Sequence, residues 1–402
     1  MEDFRQLIRE IELSHCGIDT EYKYSHDNPL ADEDFGKPNM LEPLLMSFAF
    51  VEAGGQENRR IFCCVIDLRD SNLRPSLAEM LKFPIPYVAH YAPAELMCLL
   101  KMGIPLPRQI WDTCICERAL TLGNFHPQYD EKPNDSVPQE IENKAKNKKF
   151  KEQYYSLINT EKRYQLKHNF AAQKERLQKS FLGHPPGVNF SREQIDYAAE
   201  DALIVAKLYF HQILHASSKG LLHHLITIEM PWVVTMASIQ FHGIRFDWNK
   251  YYKIVAQCKK VLPLLEQQIA AFEVKNHNSH DQLSDYFQEK NLLPHFLRNG
   301  KPCFDKENLK ENANLDPLVP LLRAAKFVDT LIREKHFRRS LVENDEHIYP
   351  SHFQLGAATG RQTSTKPNVL GIGGILRPLV IPAPGFGLGE VDWSQIEVGI
   401  AA

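Results

Sequence analysis

The chain has 402 residues, 43% hydrophobic and 24% charged, with a formal net charge of −3. That length suits two or three soluble domains with sizeable cores, and no apolar run reaches the roughly 18 residues of a membrane span or forms a signal-peptide core. Near-neutral charge excludes nucleic-acid binding through bulk charge, so any such site must come from local clustering.

The eight cysteines form no CxxC pair and lie mostly in apolar runs. Buried thiols in a reducing compartment fit them better than zinc or disulfides. A short helical stretch opens the chain, followed by the strand-like LSHCGIDTEYK. Side chains at i and i+2 of a strand share a face, so Asp19 and Glu21 present paired carboxylates together. Strand-like runs at Leu44 to Val51 and Arg60 to Asp67, separated by Gly54-Gly55, continue a mixed or antiparallel sheet that begins with a hairpin.

A short strand, Tyr87 to Ala89, then leads through His90 into a helix carrying Glu95, and Asp112-Thr113 open another apolar segment. Taken alone, Glu95 is a first-turn acid favoured by the helix macrodipole. Between about Gln128 and Lys179 lies a polar insertion whose later part holds eleven cations against three anions. Tyr154, Tyr155, Tyr164, Phe150 and Phe170 are interleaved with them. The aromatics either stack on unpaired bases while the cations hold phosphates, or pack on the sheet beneath a solvated helical pair. In FSREQIDYAAEDALIVAKLY, Ser191 and Gln194 form a capping box, and Tyr197 and Asp201, spaced i, i+4, share one helix face.

A DxE strand, an AHxAxxE helix and a YxxxD helix, in that order, resemble the DEDDy class of 3′–5′ exonucleases. The resemblance implies a ribonuclease-H-like α/β fold that hydrolyses phosphodiesters from a 3′ end with two divalent ions, Mg²⁺ or Mn²⁺. It makes Asp19, Glu21 and Asp201 metal ligands, Glu95 a member of the site where the class usually has Asp, and Tyr197 the residue that orients the attacking water. The chemistry fits: two ions about 4 Å apart offset charge on the attacking and leaving oxygens only if several carboxylates converge.

A Ser217-to-Gly220 break precedes three expected helices: one kinked near Pro231 and ending at Gly243, one over Lys250 to Val274, and one over Leu318 to Leu341. The EMP…GI and RxxKxxDTL patterns resemble the thumb of family A DNA polymerases, which grips duplex phosphates. Arg323, Lys326, Arg333, Lys335, Arg338 and Arg339 are the candidates for that role, with ordinary surface cations as the alternative. The final stretch contains TGRQTSTKPNV and ends in GEVDWSQIEVGIAA, where Asp392 closes an extended apolar run. These resemble the start of the palm of the same family, usually met as TGRxSSxxPN and DYSQIE; here Trp393 replaces Tyr and Gly399 replaces Arg. The resemblance makes Asp392 a ligand of the polymerase metals and Glu397 the screen against a 2′-hydroxyl. It also makes Arg361, Thr363, Ser364 and Asn368 contacts to primer–template DNA.

The whole reading is an exonuclease domain over residues 1–215, a helical thumb-like subdomain over 216–345 and an incomplete α+β palm over 346–402. It implies a cytoplasmic protein of a bacterial or phage-infected cell, bearing a proofreading nuclease. Without the fingers and the later palm carboxylate, polymerisation is not expected of this chain alone. Residues 376–402 are expected to form a poorly protected edge, with an exposed strand at Val391. Two other readings stand beside it. One is a non-catalytic DNA-binding scaffold completed by a separately encoded C-terminal partner. The other is a free-standing ribonuclease-D-like exonuclease acting on RNA, against which the thumb-like and DWSQIE stretches argue.

Overall fold

The computed structural model describes residues 10–24, 41–54, 59–122, 154–332, 346–357, 359–365, 367–392 and 394. The expected N-terminal helix, Trp393 and Glu397 lie outside them, as do the first part of the basic insertion and the cations from Arg333 to Arg339. The chain divides into two compact units: residues 1–243 with 349–365, and residues 244–348 with 366–402.

The first unit is built on a five-stranded mixed sheet. Strands β1 (Leu13–Tyr24), β2 (Leu41–Glu52) and β3 (Ile61–Asp67) pair antiparallel, and β4 (Tyr87–Ala89) and β5 (Ile110–Asp112) add in parallel on the other side of β1, giving the order β3-β2-β1-β4-β5. Parallel neighbours need crossovers, and helix α1 (Arg74–Met80) precedes β4 while α2 (Pro93–Lys101) links β4 to β5. Strand β2 reads as a nearly continuous apolar run because both its faces are covered, with Phe48, Ala49 and Phe50 fully buried.

Helix α3 (Thr113–Leu120) follows β5, and α4 (Leu157–Arg163) and α5 (Lys174–Leu182) lie in the described part of the insertion. The long helix α6 (Arg192–Ser218) packs on β1. Gly17 makes this possible: a Cβ there would stand 2.0 Å from the Ala202 carbonyl oxygen and 2.9 Å from the Ala206 Cβ. Small residues on both elements thus bring the backbones together, and with them Asp19, two residues along β1, and Asp201, next to Ala202 on α6.

Residues 216–243, expected with the helical middle, belong to this first unit, because Met230, Val233 and Ala237 join the same core as the sheet. The kink near Pro231 is a π-helical turn over Leu225–Glu229 leading into α7 (Met230–His242). Proline lacks the N–H and crowds the preceding turn, and a widened turn relieves both conflicts. A hairpin of β10 (Ser351–Phe353) and β11 (Thr363–Thr365) completes the unit.

In the second unit, β6 (Ile244–Arg245) pairs with β9 (His347–Ile348), and a further bridge joins Phe246 to Val380. Helix α8 runs over Trp248–Ala270, capped by the Asp247 side chain on the Lys250 amide, and so starts earlier and ends earlier than expected. Helices α9 (His280–Glu289) and α10 (Lys306–Glu311) and a small hairpin of β7 (Leu297–Arg298) and β8 (Lys301–Pro302) surround the stacked rings of Phe287, Phe296 and Phe304. Helix α11 (Leu318–Ile332) packs against α8.

Candidate active site

Asp19 and Glu21 lie on β1 beyond Gly17, the last residue that pairs with β4. They therefore stand at the carboxyl end of the parallel part of the sheet, where α/β proteins open a crevice. A register shift against β2 falls between Glu21 and Tyr22, the kind of bulge that re-aims side chains beside active sites.

Asp201 comes to the same place from α6. Ligand oxygens of Asp19, Glu21 and Asp201 all lie within 4.8 Å of one another. Tyr197, one turn earlier on α6, is fully buried and wedged among Phe170, Phe181 and the His168 ring. Its hydroxyl makes no hydrogen bond among the described residues.

Glu95 enters from α2 and is 4% exposed, with Oε2 buried and unpartnered among the described residues. Asp112 aims that helix. Its carboxylate caps α3 through the Cys114 and Ile115 amides and also accepts from the Tyr91 and Ala92 amides at the entry to α2. Between strand and helix Tyr91 takes φ +65°, a costly left-handed conformation for a bulky residue, which the Asp112 bond to its amide helps hold in place.

Crowding dictates the electrostatics. Burial, and then the charge of Asp201, push the Asp19 carboxyl up to about 8. Glu21 is raised by burial and then by Asp19 and Asp201, and Glu95 by burial and then by Asp19. For Asp201, burial works upward too, but the His168 hydrogen bond and the Lys174 charge outweigh it and leave the group below its ordinary value. Such a cluster is relieved either by protons or by a cation. Hard oxygen donors suit Mg²⁺ or Mn²⁺. The orphaned polar atoms of Glu95 and Tyr197 fit further contacts to an ion or its water, so the residues present match a divalent-metal site.

Sequence reasoning missed three residues here. His168 donates from Nε2 to Asp201 Oδ1 at 2.7 Å, and Lys174 Nζ lies 3.7 Å from the same oxygen. Glu200 accepts from the Asn169 and Phe170 amides, tying the 168–170 turn to α6. Nothing in the local sequence signals these contacts across more than 25 residues. The interleaved aromatics take part in packing: Tyr155 is buried, Tyr164 donates to Glu117, and Phe170 lies against Tyr197.

The palm-like candidates are divided between the two units. Arg361, Thr363 and Ser364 lie on or beside β11 in the first unit, with Arg361 exposed and Ser364 buried. Asn368 and Asp392 lie in the second unit, both exposed. The strand expected before Asp392 is not formed: residues 382–392 contain no strand, and Val391 is 90% exposed. Among the described residues no strand edge pairs with this apolar run, and a lone strand is not stable in water. The expected poorly protected edge begins later than residue 376, since Leu376 and Leu379 are buried against Phe246 and Trp248.

No family model matches the chain. It is 28% identical over 258 residues to DNA polymerase I of Helicobacter pylori strain J99, covering 56% of this chain and 28% of that protein. DNA polymerase I of Treponema pallidum strain Nichols is 28% identical over 220 residues, 52% of this chain and 22% of the relative. That of Aquifex aeolicus strain VF5 is 24% identical over 235 residues, 53% of this chain and 40% of the relative. The matches thus span well under half the length of each curated relative. In fold the chain resembles the POL domain of Pol1 from M. smegmatis, solved with DNA primer-template and dNTP, with a TM-score of 0.64 at 16% identity over 95% of this chain and 58% of that one. These similarities identify the chain as a relative of the family A DNA polymerases.

Proposed function

We infer that the first unit is a metal-dependent 3′–5′ exonuclease of ribonuclease-H-like type, acting on DNA within a protein of the DNA polymerase I kind. The observation that carries this reading is the convergence of Asp19, Glu21 and Asp201 within 4.8 Å, with buried Tyr197 and Glu95 beside them. Asp19, Glu21 and Asp201 would hold Mg²⁺ or Mn²⁺, which supplies charge to the phosphodiester oxygens and lowers the pKa of bound water. The chain's own contributions are distinct. Three carboxylates would hold the cation, the buried Tyr197 hydroxyl beside Asp201 would orient a water, and the packed rings around it would keep bulk solvent away. Glu95, a methylene longer than the usual Asp, lies outside the trio.

In the second unit, Arg323, Lys326 and Asn368 line one cavity of about 880 Å³ together with Phe304 and Phe327. Cations beside a Gly371–Gly373 loop suit phosphate contacts, which supports a thumb-like role in gripping primer–template DNA. Asp392 and Glu397 are read as the first palm acids of such a polymerase, Asp392 toward its metals and Glu397 toward the incoming sugar.

The test is digestion of a 3′-mismatched primer–template with Mg²⁺ or Mn²⁺, beside Asp19→Ala/Glu21→Ala and a lane with the four deoxynucleoside triphosphates. Stepwise shortening that disappears in the double variant, with no extension, is the expected result. Absence of shortening would leave a DNA-binding scaffold in front. Shortening of RNA in preference to DNA would favour the ribonuclease-D-like reading.

A further inference from the structure

The contact between the polar insertion and the carboxylate cluster is built, not incidental. His168 is fully buried at its side chain, and Asp201 nearly so. Among the described residues His168 Nε2 meets a carboxylate oxygen as its one hydrogen-bond partner, so that nitrogen carries the proton and donates. The other ring nitrogen faces the Phe170 amide at 3.2 Å and Glu200 Oε2 at 3.4 Å. Glu200 also accepts from the Asn169 amide at 2.9 Å, so neighbouring acids of α6 hold both the turn and the ring it presents. A carboxylate whose one oxygen is pinned by a buried donor has its remaining lone pairs fixed in direction.

We propose that His168 is a positioning residue that sets the orientation of Asp201 for the divalent cation, and that the 168–170 turn is therefore part of the metal site. The inference rests on reading the cluster as a metal centre. Partners of this kind around metal ligands typically govern affinity by about 10–100-fold.

Mn²⁺ titration of the full chain without nucleic acid, followed by the electron paramagnetic resonance of free Mn²⁺, tests it. His168→Ala should weaken Mn²⁺ binding by about 10–100-fold. His168→Gln, which returns an N–H donor of similar reach, should recover most of the loss; a purely structural role would not follow the donor. Unchanged or tighter binding in His168→Ala, or no recovery in a folded His168→Gln, overturns the proposal. Should His168→Ala fail to fold, Glu200→Gln loosens the turn while keeping the ring. It should also weaken Mn²⁺ binding, and unchanged affinity there is equally fatal. If Asp19→Asn/Glu21→Gln binds Mn²⁺ like the wild type, the metal reading itself falls, which is distinguishable from failure at His168 alone.

Discussion

Asp201 and Asp392 each lie in a stretch whose sequence marks it as a metal ligand. Asp201 is 4% exposed, shares its space with Asp19 and Glu21, and is gripped by His168. Asp392 is exposed in a segment without strand or helix, next to a Val391 that is 90% exposed. The contrast shows what turns a motif into a site. A carboxylate gains affinity for a cation when packing removes its water and forces like charges together, and among the described residues that packing surrounds Asp201 and not Asp392.

The sharpest way to break this comparison is to neutralise each acid in turn. Asp201→Asn should lower 3′ shortening of DNA by about a thousandfold, because a bound metal supplies several kcal/mol to the transition state and each ~1.4 kcal/mol is tenfold in rate. Asp392→Asn should shorten the same substrate at the wild-type rate. Equal losses would mean that both acids serve one reaction.

The pH dependence of stability should differ in the same sense. Asp19, Glu21 and Glu95 hold protons more tightly folded than unfolded. Their stabilising contribution is full below the ordinary carboxylate value and is lost as pH rises, for Asp19 between 3.8 and about 8. Asp201, held low, loses its contribution only in more acid solution. Metal-free protein should therefore melt at a lower temperature at about pH 8 than at about pH 5, and Mn²⁺ should remove most of the difference by replacing the protons. Asp19→Asn/Glu21→Gln should flatten the profile. A metal-free wild type with a flat profile in thermal melts would show that the cluster is not crowded in solution.

Glycines separate the regions at the level of packing. Gly17→Ala drives a methyl into the Ala202 carbonyl and should cost about 1–3 kcal/mol, weakening Mn²⁺ binding as α6 is pushed from β1. An added Cβ at Gly389 meets nothing within 4 Å, so Gly389→Ala should stay within about 0.5 kcal/mol of the wild type in denaturant titration.

What was legible in the sequence follows the range of the interaction concerned. Strand pairing at Asp19 and Glu21, the helix face shared by Tyr197 and Asp201, and the Ser191 capping box are local patterns, and the structure forms each of them. Asp112 read as the start of an apolar segment, and the structure has it cap α3 and hold the entry to α2. His168 and Lys174 were illegible because a buried His among surface cations has no periodic signature; only the fold of the insertion brings them to Asp201. The attachment of residues 216–243 to the first unit was hidden likewise, since an apolar helix does not announce which core it joins. In the last stretch the apolar run before Asp392 read as a strand, but strand formation needs a partner edge, and that is a property of the surroundings.

The smallest expected effect concerns the start of α6, where Ser191 Oγ accepts from the Gln194 amide at 3.2 Å and Gln194 Oε1 accepts from the Ser191 amide at 3.0 Å. Ser191→Ala should cost about 1 kcal/mol, or roughly 2–4 °C in melting temperature for a unit of this size, with Mn²⁺ affinity unchanged. A cap satisfies amides of the first turn, and fraying stays near the helix end. Asp201 lies nearly three turns further on, where Gly17 and Ala202 fix the backbone and His168 fixes the carboxylate. Loss of Mn²⁺ affinity in Ser191→Ala, comparable to that expected of His168→Ala, would mean that α6 positions its acid as a rigid rod from its N-terminus. The site would then owe its geometry to the helix as a whole, and the grip of the insertion on Asp201 would be secondary.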